Sequence, residues 1–372
     1  MNSLEVRKKT ITNIHESEFK FVIVSSGGGS NAIGSFLKVP GASNSILEAY
    51  IPYAKESLDF YLMKKPESYC SLDTTTRMAA RAYSAAKKID QKTNIEQLFG
   101  VAISATLSTN YEKKGSHRFH IAVQTRDFSQ SISCILNKGQ RTREEEEELV
   151  TEFVIALISD CCGFEFKYPE IKEDVEHIQI PAQKGWADLM SEKIKFVTSS
   201  NQQPKLIFPG AFNPMHDGHI AMSELANKEL SEEVFFEICI QNVDKPPLSY
   251  HQIKKTIDQF TDSKNWVLTK AGKFSDKAKL FPNSTFIIGA DTLVRIFDER
   301  FYASRREMME EFEIFNANNN NFLVFGREYK NKFIELNDIQ VPDSIKSRFR
   351  GFGENIFRKD VSSSTIRAQN SE

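Results

Sequence analysis

From residue 205 onward the chain alternates short apolar runs with helix-like stretches, and that alternation limits the folds open to it. The runs are KLIF, VFFEICI, WVLT, TFIIG and FLVFG, and helical spacing covers Ile220–Leu230, Tyr250–Phe260, Thr292–Phe297 and Arg305–Phe315. Strands alternating with helices predict a parallel sheet with helices on both faces, a Rossmann-like α/β arrangement. Ligands bind such sheets beyond the carboxyl ends of the strands. The residues that follow each run are therefore the candidates. They are GAFNPMHDGH after KLIF, QNVDKPP after VFFEICI, Gly289-Ala290-Asp291-Thr292 at the end of TFIIG, and Arg327 after FLVFG. VSSSTIR then opens a last helical turn at Ser362–Arg367.

The 372 residues suggest two to three domains at roughly 150 residues each. An earlier α/β domain is expected over 12–165. It opens with the strand-like FKFVIV, a glycine turn in SSGGGS and the helix-like NAIGSFLKV, and closes on the helix REEEEELVTEFVIALISDCC. Residues 166–203 read as a linker, and 204–372 as the second domain. The acidic start of the closing helix accounts for the Glu144–Glu148 run.

A formal charge of -2 disfavours a broadly basic nucleic-acid binder, and the longest apolar runs fall far short of the about 20 residues a bilayer needs. No nucleic-acid or membrane partner is expected. Five cysteines without a CxxC pair argue against a disulfide framework or a zinc site, and fit a reducing compartment. The cytoplasm is expected, with the nucleus also open. No protein-held metal is foreseen, and a homo-oligomer is compatible with this reading.

GAFNPMHDGH has a physical logic. Gly210 lets the backbone turn closely after its strand, and Asn213-Pro214 fixes a turn. His216-x-Gly218-His219 puts two imidazoles at a helix start, where free N–H groups and the dipole attract anions. Two surface histidines or a metal pair are the alternatives, although helical metal pairs favour HxxxH. Three serines at the last helix start supply caps and hydroxyls, and Arg367 follows one turn later.

These segments carry a resemblance. GAFNPMHDGH is similar to the G-x-F-x-P-x-H-x-G-H signature of the cytidylyltransferase-like nucleotidyltransferases, and VSSSTIR to their closing I-S-S-T-x-I-R. FIIGADTL resembles the G-x-D segment of the nicotinate and nicotinamide mononucleotide adenylyltransferases. The resemblance implies that His216, His219 and Arg367 are catalytic. It implies that Gly210, Phe212, Gly289, Asp291, Ser363 and Ser364 bind ATP, and that Mg²⁺ arrives with the triphosphate. Lys245 and Arg327 align as substrate-binding residues, with a solvated lysine and a salt bridge as their alternatives. Trp266 reads as a core residue at a strand start, with stacking on a pyridine ring as its alternative.

In the first domain, VSSGGGS and VPGAS (39–43) resemble segments of the CinA (competence-damage-inducible protein A) C-terminal family, which includes nicotinamide mononucleotide deamidases. The resemblance places Ser25 at the family's nucleophile, and Tyr53 and Lys55 at its Tyr and Lys. Two departures stand out. SATLSTN (104–110) replaces a glycine-rich stretch, and Val24 replaces a glutamate. A serine needs a base and an oxyanion hole, so a silent domain is one reading and an amidase the other. KKGSHRFH offers Arg118 or His120 to a phosphate, or is an ordinary sheet edge.

Together these resemblances imply transfer of an adenylyl group from ATP to nicotinamide or nicotinate mononucleotide, giving NAD or deamido-NAD and pyrophosphate. The partners would be ATP and a pyridine mononucleotide. Transfer to another phosphate acceptor, such as a phosphopantetheine or choline phosphate, and a silent nucleotide-binding regulator are the alternatives.

Overall fold

The computed structural model describes residues 3–111, 113–241, 247–260, 264–329, 332–359 and 361–369. It divides into two units. The first comprises Met1–Ala187 and Asp244–Lys254, the second Asp188–Val243 and Lys255–Glu372.

The first unit is built on a mixed sheet of β1 (Lys20–Gly27), β2 (Ile46–Tyr50), β3 (Leu98–Thr106), β4 (His117–Gln124), β5 (Phe128–Leu136) and β6 (Val175–Pro181), in the order β2-β1-β3-β4-β5-β6. The first three strands are parallel and the rest antiparallel. Helix Leu72–Ile89 covers one face. Ser71 Oγ accepts the Thr74 N–H, Asp73 sits in the first turn, and Lys87 and Lys88 sit in the last. Its alanines let the backbone approach β3 closely. A Cβ at Gly100 would lie 2.1 Å from the Tyr83 nitrogen, so only glycine fits there. Helices Asn31–Leu37 and Arg143–Cys161 supply residues to the core on the other face.

The residues 166–203 contribute β6 to this sheet and β7 (Phe196–Thr198) to the second. The chain also returns to the first unit at Asp244–Lys254. Tyr250 is fully buried there, 5.7 Å from Trp186 between ring centres. Its N–H donates to Ser129 Oγ at 3.0 Å, and Gln252 Nε2 donates to Thr76 Oγ1 at 3.0 Å.

The second unit adds β8 (Leu206–Pro209), β9 (Val234–Cys239), β10 (Asn265–Thr269), β11 (Thr285–Gly289), β12 (Asn321–Phe325), a hairpin of β13 (Arg327–Tyr329) and β14 (Lys332–Ile334), and β15 (Phe349–Phe352). The large sheet runs β15-β12-β11-β8-β9-β10-β7, parallel except for β7. Each of the five apolar runs is a strand of this sheet. The hairpin, β7, β15 and helix Phe274–Leu280 lie outside the runs and helices read from the sequence. From β8 the chain moves through β9 and β10, then reverses to the other side of β8 at β11. That reversal opens a crevice at the adjoining ends of β8 and β11. Lys277 and Glu237 form a buried pair, Nζ to Oε1 2.7 Å and Nζ to Oε2 2.8 Å, and Lys277 Nζ also donates to Ala271 O at 2.6 Å. These bonds supply the partners that buried charges require.

No described helix is long and apolar enough to cross a membrane. Replacing Tyr250 by Ala is expected to destabilise the first unit by about 3–5 kcal/mol, the usual cost of emptying a large buried aromatic site. Hydrogen exchange at the β5 amides, read beside a denaturation curve, checks this.

Candidate functional site

The segment after β8 turns sharply. The Gly210 N–H donates to Glu237 O at 3.0 Å, Phe212 adopts a φ of 42°, and the Asn213–Pro214 bond is cis. A Cβ on Gly210 would strike the Phe212 ring at 2.5 Å. Phe212 is itself core, packed against Phe208, Phe236, Phe260 and the His219 ring. Its ring backs the His219 imidazole. Gln259 braces the turn: its Oε1 accepts the Met215 N–H and its Nε2 donates to Phe212 O, both at 2.8 Å. Nothing in the sequence marked Gln259, because its role depends on a contact made only in the folded unit.

Helix Asp217–Leu230 begins directly after His216. The His216 and His219 rings stack at 3.7 Å, and the His216 backbone N–H donates to His219 Nδ1 at 3.3 Å. That bond leaves the proton of neutral His219 on Nε2. Burial, the neighbouring His216 and Arg327 push His219 down to about 3; burial and then Arg327 lower His216. Both imidazoles are neutral near pH 7. His216 is 8% exposed, yet neither ring nitrogen has a hydrogen-bond partner among the described residues. A buried polar group so placed is costly unless a ligand completes it.

Across the crevice, β11 ends at Gly289 and the next helix, Ala290–Ile296, carries Asp291 in its first turn. A Cβ at Gly289 would lie 2.4 Å from Asp291 Oδ1. That oxygen has no hydrogen-bond partner among the described residues and faces Arg327 Nη1 at 3.9 Å. A cleft is lined by His216, Gly218, Gly289, Arg327 and Lys359, with Met222 and Phe357 among its apolar walls. Lys359 was not among the residues singled out from the sequence, although it lies just ahead of VSSSTIR.

The closing helix Ser363–Gln369 is fastened to the turn. Ser363 Oγ donates to Pro214 O at 2.8 Å, and Arg367 Nη1 donates to Asn213 O. Ser364 belongs to this helix, but its side chain lies outside the described residues, as does Lys245 altogether. Trp266 stands half-buried at the second position of β10.

In the first unit, Ser25 is fully buried and its Oγ donates to Gly28 O at 3.2 Å. Tyr53 is 68% exposed, and Lys55 Nζ lies 5.5 Å over the Tyr69 ring. Among the described residues no hydrogen bond joins Ser25 to Tyr53 or Lys55. The glycine loop spends its amides internally: Gly28 N–H donates to Ala105 O at 2.9 Å and Gly29 N–H to Glu147 Oε2 at 2.7 Å. The acidic run therefore does more than begin a helix. Glu145 closes a capping box with Thr142, buried Glu146 accepts the Ser108 N–H at 2.6 Å and meets His117 Nδ1 at 2.8 Å, and Glu148 pairs with Arg7. His120 Nδ1 lies 2.8 Å from Ser133 Oγ, and Arg118 Nε is buried without a partner among the described residues.

The site histidines carry a pH signature. Their folded pKa values lie below the ordinary value of 6.5, so the unfolded chain takes up protons first as pH falls. Stability from His219 is full above about pH 6.5 and is lost progressively towards about pH 3. Denaturation midpoints of His219→Gln are expected to fall less steeply across that window than those of the wild type.

No curated protein matches the chain. Solved structures similar to it include the competence/damage inducible protein CihA from Agrobacterium tumefaciens, 15% identical over 42% of this chain and 94% of that one, with a TM-score of 0.34. A CinA superfamily protein from Klebsiella pneumoniae is 12% identical over 44% of this chain and 99% of that one, TM-score 0.35. A competence or damage-inducible protein from Enterobacter asburiae is 14% identical over 42% and 99%, TM-score 0.34. Residues 207–369 match the cytidylyltransferase-like family model, a stretch that spans the turn after β8, both histidines, β11 and the closing helix. The stretch 207–369 is a cytidylyltransferase-like nucleotidyltransferase domain.

Proposed function

We propose that the protein transfers an adenylyl group from ATP to nicotinamide or nicotinate mononucleotide, forming NAD or its deamido form and releasing pyrophosphate. The observation that carries nucleotide binding is His216, buried in the cleft wall beside a helix start with both ring nitrogens unpartnered. Neutral imidazoles and first-turn amides at one place suit phosphate oxygens. The choice of acceptor rests on the G-x-D resemblance of FIIGADTL and on the CinA-like segments of the first domain.

In this reaction an oxygen of the acceptor phosphate attacks the α-phosphorus of ATP. The bond to the bridging oxygen breaks, and its electron pair leaves with pyrophosphate. No protein nucleophile is required. His219 Nε2–H and His216 donate to the phosphates as charge builds, and Asp291 accepts from ribose hydroxyls. Mg²⁺ enters as part of the ATP substrate, keeping most of its waters. Catalysis is then positioning plus fixed dipoles.

For the first unit we favour a non-catalytic role. Ser25 is fully buried with its hydroxyl spent on Gly28 O, and the loop amides that would stabilise an oxyanion are already bonded.

Chromatography of the purified chain with ATP, Mg²⁺ and each mononucleotide tests the transfer. Dinucleotide and pyrophosphate are expected in equal amounts, and His219→Ala is expected to cut the rate by about 100- to 1000-fold, the range for losing one electrostatic donor. Consumption of a different phosphate acceptor, with both mononucleotides untouched, would refute the acceptor assignment. No ammonia is expected from nicotinamide mononucleotide; release abolished by Ser25→Ala would overturn the non-catalytic reading.

A further inference from the structure

We propose that Lys359 binds the outer phosphates of the nucleotide, supplying the charge that the closing motif assigns to Arg367. The inference rests on the reading that the cleft takes a nucleoside triphosphate. Arg367 and Ser363 donate to Asn213 O and Pro214 O, so their hydrogen bonds hold the closing helix on the turn. The cationic side chains lining the cleft are Arg327 and Lys359. Arg327 already faces Asp291. Arg358, next in sequence, pairs with Glu354 and stacks on Phe333. Lys359 is exposed and has no hydrogen bond or ion pair among the described residues.

Its position is specific. A Cβ at Gly218 would lie 3.8 Å from the Cβ of Lys359, so this lysine stands against the first turn of helix Asp217–Leu230. First-turn N–H groups lack partners within their helix and carry its positive end. Unpartnered His216 lines the same cleft. Helix amides, an imidazole and an ammonium group thus border one space, and all three donate to phosphate oxygens. A lysine serves there as a compact point charge that follows the phosphates as the α–β bond breaks. It would offset the negative charge gathered on departing pyrophosphate.

Calorimetric titration of the full chain separates the possibilities, using ATP with Mg²⁺, tripolyphosphate and AMP as probes. Lys359→Ala is expected to weaken ATP and tripolyphosphate by about tenfold or more, the scale of a lost charged hydrogen bond. Lys359→Arg is expected to retain most of that affinity, and AMP, without the outer phosphates, to bind wild type and Lys359→Ala alike. Unchanged tripolyphosphate affinity in Lys359→Ala overturns the proposal, as does a wild type that binds neither polyphosphate. An equal fall for AMP also overturns it, in favour of a structural role. A chain that binds tripolyphosphate through Lys359 yet makes no dinucleotide refutes the acceptor reading and leaves this one standing.

Discussion

Strand β8 is hydrogen-bonded on both edges, to β9 on one side and to β11 on the other, and the candidate site follows from that position. Because the chain reverses direction across the sheet there, the turn after β8 and the Gly289–Asp291 corner emerge side by side. Two segments far apart in sequence become the two walls of one cleft. The glycines enforce the fit. At Gly210 a Cβ would meet the Phe212 ring and at Gly289 the Asp291 carboxylate, so each of those side chains packs directly on backbone.

The histidines show what such an arrangement does to chemistry. Stacked and enclosed, with Arg327 nearby, they are held neutral. A neutral imidazole is a weaker attraction for phosphate than an imidazolium. It is also a fixed one, with its donor direction set by the bond from the His216 backbone. The site gains orientation at the expense of charge. In the reaction proposed for this site, cationic charge would then come from Arg327 and Lys359.

Much of the second unit was legible in the sequence because its five apolar runs are bounded by glycine, proline and polar residues that terminate strands. The histidine pair and the closing serines were legible because their spacing is tied to helix starts. Gln259, Lys359 and the true partners of Arg367 were not. Each acts through a neighbour supplied by another element, and a side chain's spacing does not say which carbonyl it will reach. Phe212 is expected to offer its backbone to a nucleotide, and its ring is buried in the core. In the first unit the glycine loop could be seen, but not that Glu147, far along the chain, would occupy the Gly29 amide.

The return of Asp244–Lys254 to the first unit bears on how the protein is made. A ribosome releases the chain from its amino end, so residues 1–187 emerge while the pocket for Tyr250 is still empty. The first unit stays incomplete until β7, β8 and β9, the opening strands of the second, have also been synthesised. Neither unit corresponds to one uninterrupted stretch of message. A stop codon placed between them would yield an amino-terminal product lacking a buried aromatic of its own interior. Exchange of either unit between proteins by a single recombination event would meet the same obstacle.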